Sequence, residues 1–128
     1  MEFRSNQAIY MQIGDYICEN ILKKRWQEAE KIPSIREMAV HMEVNPNTVM
    51  RTYTYLLEQG IVYNQRGIGY FVAAEAYHRT KKLKTREFVA LALPRIFREM
   101  DLLEISVKQI EQYYESYSDA KSNTEERS

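Results

Sequence analysis

Cysteine is nearly absent, with Cys18 the one example in 128 residues. A single thiol cannot close an intrachain disulfide, which removes the cross-linked secreted class of small domain and fits a reducing cytoplasm. Set among apolar neighbours, Cys18 is expected to behave as a small core hydrophobe. Histidine is also scarce, and His41 and His78 stand far apart without cysteine partners, so no metal-ligand spacing forms. No apolar run approaches the roughly 18 residues of a membrane span, and residues 1–7 lack the apolar core of a signal peptide. No grouping of serine, cysteine, histidine or carboxylate has the logic of a nucleophile or a metal site. Neither enzymatic activity nor a cofactor is therefore expected. Surplus charge is missing as well. Lys and Arg total 18 against 18 Asp and Glu, and the balance holds in each part, at eight against eight in residues 1–72 and ten against ten in 73–128.

What is present is enough for a folded core. Hydrophobic residues make up 45% of the chain and charged residues 28%, which excludes a disordered chain and keeps the surface wet. The length suits one ordinary domain, or a small domain with a partner-binding appendage.

Five helices and one hairpin are expected, a mainly α fold. Ile9, Ile13, Ile17 and Ile21 recur every fourth residue and predict an amphipathic helix over 8–24. After a polar connection over 25–31, Ser34 with Glu37 three residues on is a capping-box signature, so a second helix starts at Ser34. Ile35, Met38, Ala39 and Met42 form its inward face and leave Arg36 outside. Asn45 is the expected N-cap of a third helix, with Pro46 in the first position, where its missing N–H costs nothing. That helix is expected to run to about Gln59 and stop at Gly60. Val49, Tyr53, Leu56 and Leu57 share its inner face, whereas Asn47, Arg51 and, one turn on, Thr54 or Tyr55 share the outer one. Asn and Arg can make bidentate hydrogen bonds to adenine and guanine edges. Asn45 and Thr48 suit capping and phosphate, because the dipole end there attracts an anion. Residues 61–63 and 70–72 are β-prone triplets around a loop over 64–69. Gly67 and Gly69 permit a sharp turn and close approach, and Arg66 puts a cation at the tip. This order is that of a helix-turn-helix with a wing, a double-stranded DNA reader.

Residues 8–72 resemble the winged helix-turn-helix domain of the GntR family of bacterial transcriptional regulators. The resemblance rests on Ile9-Tyr10-x-Gln12-Ile13, on residues 33–39 (PSIREMA), on 44–49 (VNPNTV) and on 66–72 (RGIGYFV). It implies DNA contacts from Arg36, from Asn45, Asn47 and Thr48, from Arg51, and from the wing at Arg66, Gly67 and Gly69. Ser34 and Tyr55 are further candidates for DNA contact, Tyr55 at a plausible phosphate position. Many members carry arginine where this chain has Met50, so the base contact there either passes to Arg51 or is lost. The short remainder after Val72 is similar to that of the YtrA-like subfamily, whose small helical C-terminal part serves dimerisation. The larger effector domains of the family need far more chain.

The expected division is therefore a DNA-binding domain over 1–73 and a helical dimerisation region over 74–128. Residues 79–86 hold five cations and no acid, read as a solvated face. Val89, Leu93, Ile96, Met100 and Leu103 form a stripe on a helix bent or interrupted by Pro94. Ser106 with Gln109 repeats the capping box and starts a last helix in which Val107, Ile110, Tyr114 and Tyr117 share a face, with a frayed tail from about 118. Two such stripes need a cover, and a second copy in a twofold contact provides it. Each neutralised phosphate adds about 0.9 to the salt slope of affinity, so a monomer with no surplus charge binds DNA poorly and a dimer doubles every contact. The expected function is a dimeric, cytoplasmic repressor at a palindromic operator. A winged-helix adaptor between proteins is the alternative, which absence of Arg36, Arg51 and Arg66 would have favoured. No pattern marks an effector site, and a small-molecule effector would have to use the dimer cleft or the joint between the parts.

Overall fold

Isoleucine at every fourth position shapes the first element, α1 (Ile9–Leu22), which buries Ile13, Ile17 and Ile21 with Cys18 among them. The computed structural model describes residues 8–127. Residues 1–7, read above as lacking a signal-peptide core, lie outside the described residues, as does Ser128. Ile9 is 49% exposed, so the buried stripe is one residue shorter than the periodicity implies.

Two caps start the next helices. In α2 (Ile35–Met42) the Glu37 N–H donates to Ser34 Oγ at 3.1 Å, and the Ser34 N–H donates to Glu37 Oε1 at 3.0 Å. The bonds from the Ser34 backbone and then its side chain hold the Glu37 carboxyl below its usual range. α2 buries Met38, Ala39 and Met42 and ends at Glu43 in the left-handed region, φ 56°. α3 (Pro46–Glu58) follows at once, capped by Asn45, and buries Val49, Thr52, Tyr53 and Leu56 against α1 and α2. Thr52 was missing from the inner face expected of this helix. Its hydroxyl donates to the Tyr10 carbonyl at 2.7 Å, which satisfies it inside the core. The chain leaves α3 through Gly60 at φ 71°, and the Gly60 carbonyl accepts from Arg79 Nη1 at 2.9 Å.

The hairpin is longer and tighter than the β-prone triplets suggest. β1 (Val62–Gln65) and β2 (Gly69–Val72) pair antiparallel, with Val62 opposite Val72 and Gln65 opposite Gly69. The ladder thus takes in both ends of the expected loop and leaves only Arg66, Gly67 and Ile68 at the tip. Gly67 at φ 79° permits that turn, which the Ile68 N–H closes onto the Gln65 carbonyl at 2.9 Å. The connection ahead of α2 is also more ordered than its polar composition suggests. Lys31 bridges Phe71, the Ala29 N–H donates to the Val72 carbonyl at 2.8 Å, and the Ile32 N–H donates to the Tyr70 carbonyl at 3.0 Å. This segment covers the open edge of β2.

The basic run forms a helix of its own, α4 (Ala76–Glu87), which burial of Ala76, Thr80 and Leu83 fastens down. Besides Arg79, Lys84 pairs with Asp15, and Lys81 lies 5.9 Å from the centre of the Tyr77 ring. Three of the five cations are therefore engaged at home. The fold divides into Met1–Thr85 and Arg86–Ser128. The first compact unit extends through most of α4, because that helix buries Ala76, Thr80 and Leu83.

The second unit starts within α4. A π-helical segment, Phe88–Ala92, precedes α5 (Leu93–Leu103), whose first turn contains Pro94. Proline offers no N–H to the carbonyl one turn back, and the backbone widens immediately before it. α6 (Val107–Arg127) starts at Ser106, whose N–H donates to Gln109 Oε1 at 2.8 Å. It continues through 118–127, where fraying was expected. Neither glycine nor proline follows Ser106 in the chain, so nothing there breaks the helix.

The Tyr53 ring is fully buried, and its hydroxyl donates to the Pro33 carbonyl at 2.6 Å. Burial pushes this phenol above its ordinary range. The stability this shift contributes is complete below the unfolded pKa of about 10 and is lost as pH rises past it. Tyr53→Phe is expected to destabilise the protein by about 1–2 kcal/mol at neutral pH and to remove part of the alkaline loss. Urea unfolding of both proteins across pH checks this, and coincident curves would refute it.

Candidate nucleic-acid interface

With Val49, Thr52, Tyr53 and Leu56 turned inward, α3 has one face left for solvent. Asn47, Met50, Arg51, Thr54 and Tyr55 are exposed on it, Met50 to 50%. With Tyr10 and Glu58 all five line a shallow recess of about 550 Å³. Sequence periodicity placed Asn47, Arg51 and Tyr55 on the outer face, and the structure brings them together there. Tyr10 joins them from α1, and no local pattern announced it. The Arg51 guanidinium carbon lies over the Tyr10 ring, 3.9 Å from its centre.

The capping residues have less to offer than their chemistry alone suggests. Asn45 Oδ1 accepts from the Asn47 N–H at 2.8 Å, and the Thr48 N–H donates to the Asn45 carbonyl at 3.0 Å. Pro46 has no N–H to give, so the first donors of α3 are occupied. Asn45 retains its amide hydrogens as donors, whereas the Ser34 side chain and backbone both serve Glu37. Thr48 is half-buried, while Arg36 is exposed in the first turn of α2.

The wing presents Arg66, Gly67 and Ile68 at its tip, all exposed. Gly69, at φ 144°, lies against the Lys31 side chain, and a Cβ there would stand 2.9 Å from Lys31 Cε. Glycine at this position admits the Lys31 side chain against β2, and the sequence gives no sign of it because Lys31 lies in what looks like a connection. Tyr63 stacks on Phe71 with centroids 5.5 Å apart.

No group of histidine, cysteine and carboxylate residues able to hold a metal occurs among the described residues. His41 packs against Tyr16, with centroids 5.8 Å apart. No helix of the described residues is long and apolar enough to cross a membrane.

A cap-started helix with a polar outer face, followed by a three-residue wing tip, is the arrangement found over residues 9–72, and those residues match the family described as bacterial regulatory proteins, gntR family. The chain belongs to the GntR family. It is a DNA-binding transcriptional regulator, not an enzyme. The HTH-type transcriptional regulator YhcF of Bacillus subtilis is 43% identical over 88 residues, covering 67% of this chain and 73% of YhcF. The HTH-type transcriptional repressor YtrA of the same organism is 38% identical over 73 residues, covering 57% of this chain and 56% of YtrA. A GntR-family transcriptional regulator from Listeria monocytogenes superimposes with a TM-score of 0.72 at 31% identity, covering 89% of this chain and 98% of that one. This GntR chain is YtrA-like, and its fold is the winged helix with C-terminal helices expected of it.

Asn45→Ala removes the acceptor that caps α3 and is expected to cost about 0.5–2 kcal/mol of stability. Thermal unfolding monitored by circular dichroism measures this loss, and an unchanged midpoint would show that the cap contributes nothing.

Proposed function

We propose that this GntR-family protein is a dimeric repressor that reads a palindromic operator with α3 and the wing, the first unit binding DNA and the second joining two copies. The observation that carries the DNA reading is the division of α3 into a buried apolar face and an exposed face bearing Asn47 and Arg51. A helix held this way can enter the major groove N-terminus first, where those side chains suit adenine and guanine. Arg36, Arg66 and Lys31 supply cations on either side of it, and Ser34, Asn45, Thr48 and Tyr55 supply polar groups for the sugar-phosphate backbone. Gly67 and Gly69 allow the wing tip a close approach to the minor groove.

Dimerisation is supported by what the second unit leaves uncovered. Neither the π segment nor α5 buries a single residue. Val89, Ile96, Leu103, Ile110 and Tyr114 are all exposed, Leu103 to 64% and Tyr114 to 66%, and Leu93 and Met100 are only half-buried. Apolar surface on this scale on one small region marks an interface. A second copy is the cover that also answers the charge problem, since a net charge of zero leaves one protomer few phosphates to neutralise. Similarity to YtrA, which is named a repressor, supports the direction of control.

Two experiments test this reading. Selection of bound fragments from random DNA is expected to return a palindrome with half-sites about 10 bp apart or a multiple of that. On that operator, Arg51→Ala is expected to weaken binding by about 1–3 kcal/mol and to change the preferred base, whereas Arg66→Ala weakens binding with no change in preference. Unchanged gel-shift affinities for both variants would refute the assignments. Sedimentation is expected to show a dimer that Ile110→Asp dissociates, with operator affinity falling in parallel. A monomeric parent that binds the palindrome as tightly as its variant would refute the dimer.

A further inference from the structure

Tyr10 and Arg51 come from different helices, and their contact is the tightest cation–ring approach among the described residues, at 3.9 Å against 5.0 and 5.9 Å for the two lysines on Tyr77. The contact is built into the packing. Thr52, adjacent to Arg51, is 1% exposed and donates its hydroxyl proton to the Tyr10 carbonyl at 2.7 Å. Gln12 and Ile13, just beyond Tyr10, are buried. The backbone that carries the ring is therefore tied to the backbone that carries the guanidinium, although Arg51 itself is exposed and Tyr10 half-buried.

An unrestrained arginine on a helix surface samples many rotamers, and ordering it on binding costs affinity. A ring beneath the guanidinium uses its flat face. The in-plane N–H groups, the fork that bonds O6 and N7 of guanine, stay available. We propose that Tyr10 is a positioning residue that holds Arg51 ready for its base before DNA arrives, and so sets specificity at the base pair Arg51 reads. This rests on the reading of α3 as the helix that enters the major groove. It adds a determinant outside that helix, in a part of the fold otherwise devoted to the core.

The test uses the full chain and the operator selected with the parent protein. Tyr10→Phe and Tyr10→Leu are made with Arg51 present and in an Arg51→Ala background, and affinities are measured for the operator and its single-base-pair variants. Tyr10→Phe keeps the ring and is expected to bind like the parent. Tyr10→Leu is expected to lose about two- to fivefold per recognition helix, with the loss confined to discrimination at the pair that Arg51→Ala also relaxes. In the Arg51→Ala background it is expected to change nothing further. Equal losses in both backgrounds, or discrimination left intact, would overturn the proposal. In the DNA-free protein, NMR is expected to show the Arg51 Hδ protons shifted upfield by the ring current in the parent and in Tyr10→Phe. Their absence from the upfield region in the parent would overturn the stack, even if Tyr10→Leu failed to fold. A parent with no sequence preference would overturn the functional reading and the proposal with it. A selective parent without Tyr10–Arg51 coupling would overturn the proposal alone.

Discussion

Burial of one face of α3 is the constraint from which the rest follows. Val49, Tyr53 and Leu56 are at most 1% exposed, and a helix anchored along one side cannot rotate. Rotation by one residue, about 100°, would expose Tyr53 and bury a polar neighbour, and the cost of burying an unpaired polar group alone would exceed 1 kcal/mol. The orientation of Asn47 and Arg51 toward solvent is thus enforced from the inside. The hydroxyl of Tyr53 on the Pro33 carbonyl extends the same control to the entry of α2.

Around that anchor the polar groups are largely spoken for, and this decides what remains for a partner. Ser34 and Asn45 accept backbone N–H groups at their helix starts, Arg79 satisfies the carbonyl at Gly60, and Lys84 pairs with Asp15. The cations left facing outward near the wing and recognition face are few, namely Arg36, Arg51, Arg66 and Lys31. In the proposed function, a protein of zero net charge relies on the aim of these few groups more than on attraction at a distance, which salt screens in any case. The proposed twofold assembly would double them, and the second unit leaves apolar residues uncovered that such an assembly would bury.

Much of this was legible in the residues. The Ser34–Glu37 and Ser106–Gln109 pairs announced their capping boxes, Asn45-Pro46 announced the start of α3, and the paired glycines announced the wing. These are short-range signals, in which one residue satisfies or frees a backbone group a few positions away. The outer face of α3 was legible for the same reason, since helical periodicity alone places Asn47, Arg51 and Tyr55 together. What escaped was long-range or weakly patterned. Residues 29–32 look like a polar connection, yet they pair with β2 because its second edge needs hydrogen bonds. α4 looks like a solvated basic run because its buried set includes Ala76 and Thr80, which carry little hydrophobic signal.

The chain by itself determined that there would be a capped helix-turn-helix, a glycine-tipped wing and two apolar stripes near its end, because each depends on backbone groups and side chains close together in sequence. The tertiary structure alone decided that Tyr10 lies beneath Arg51, that Lys31 flanks Gly69, and that Arg79 and Lys84 serve the fold. Those contacts join residues whose separation along the chain carries no periodic trace, and only the packing of helices at fixed angles and distances brings them together.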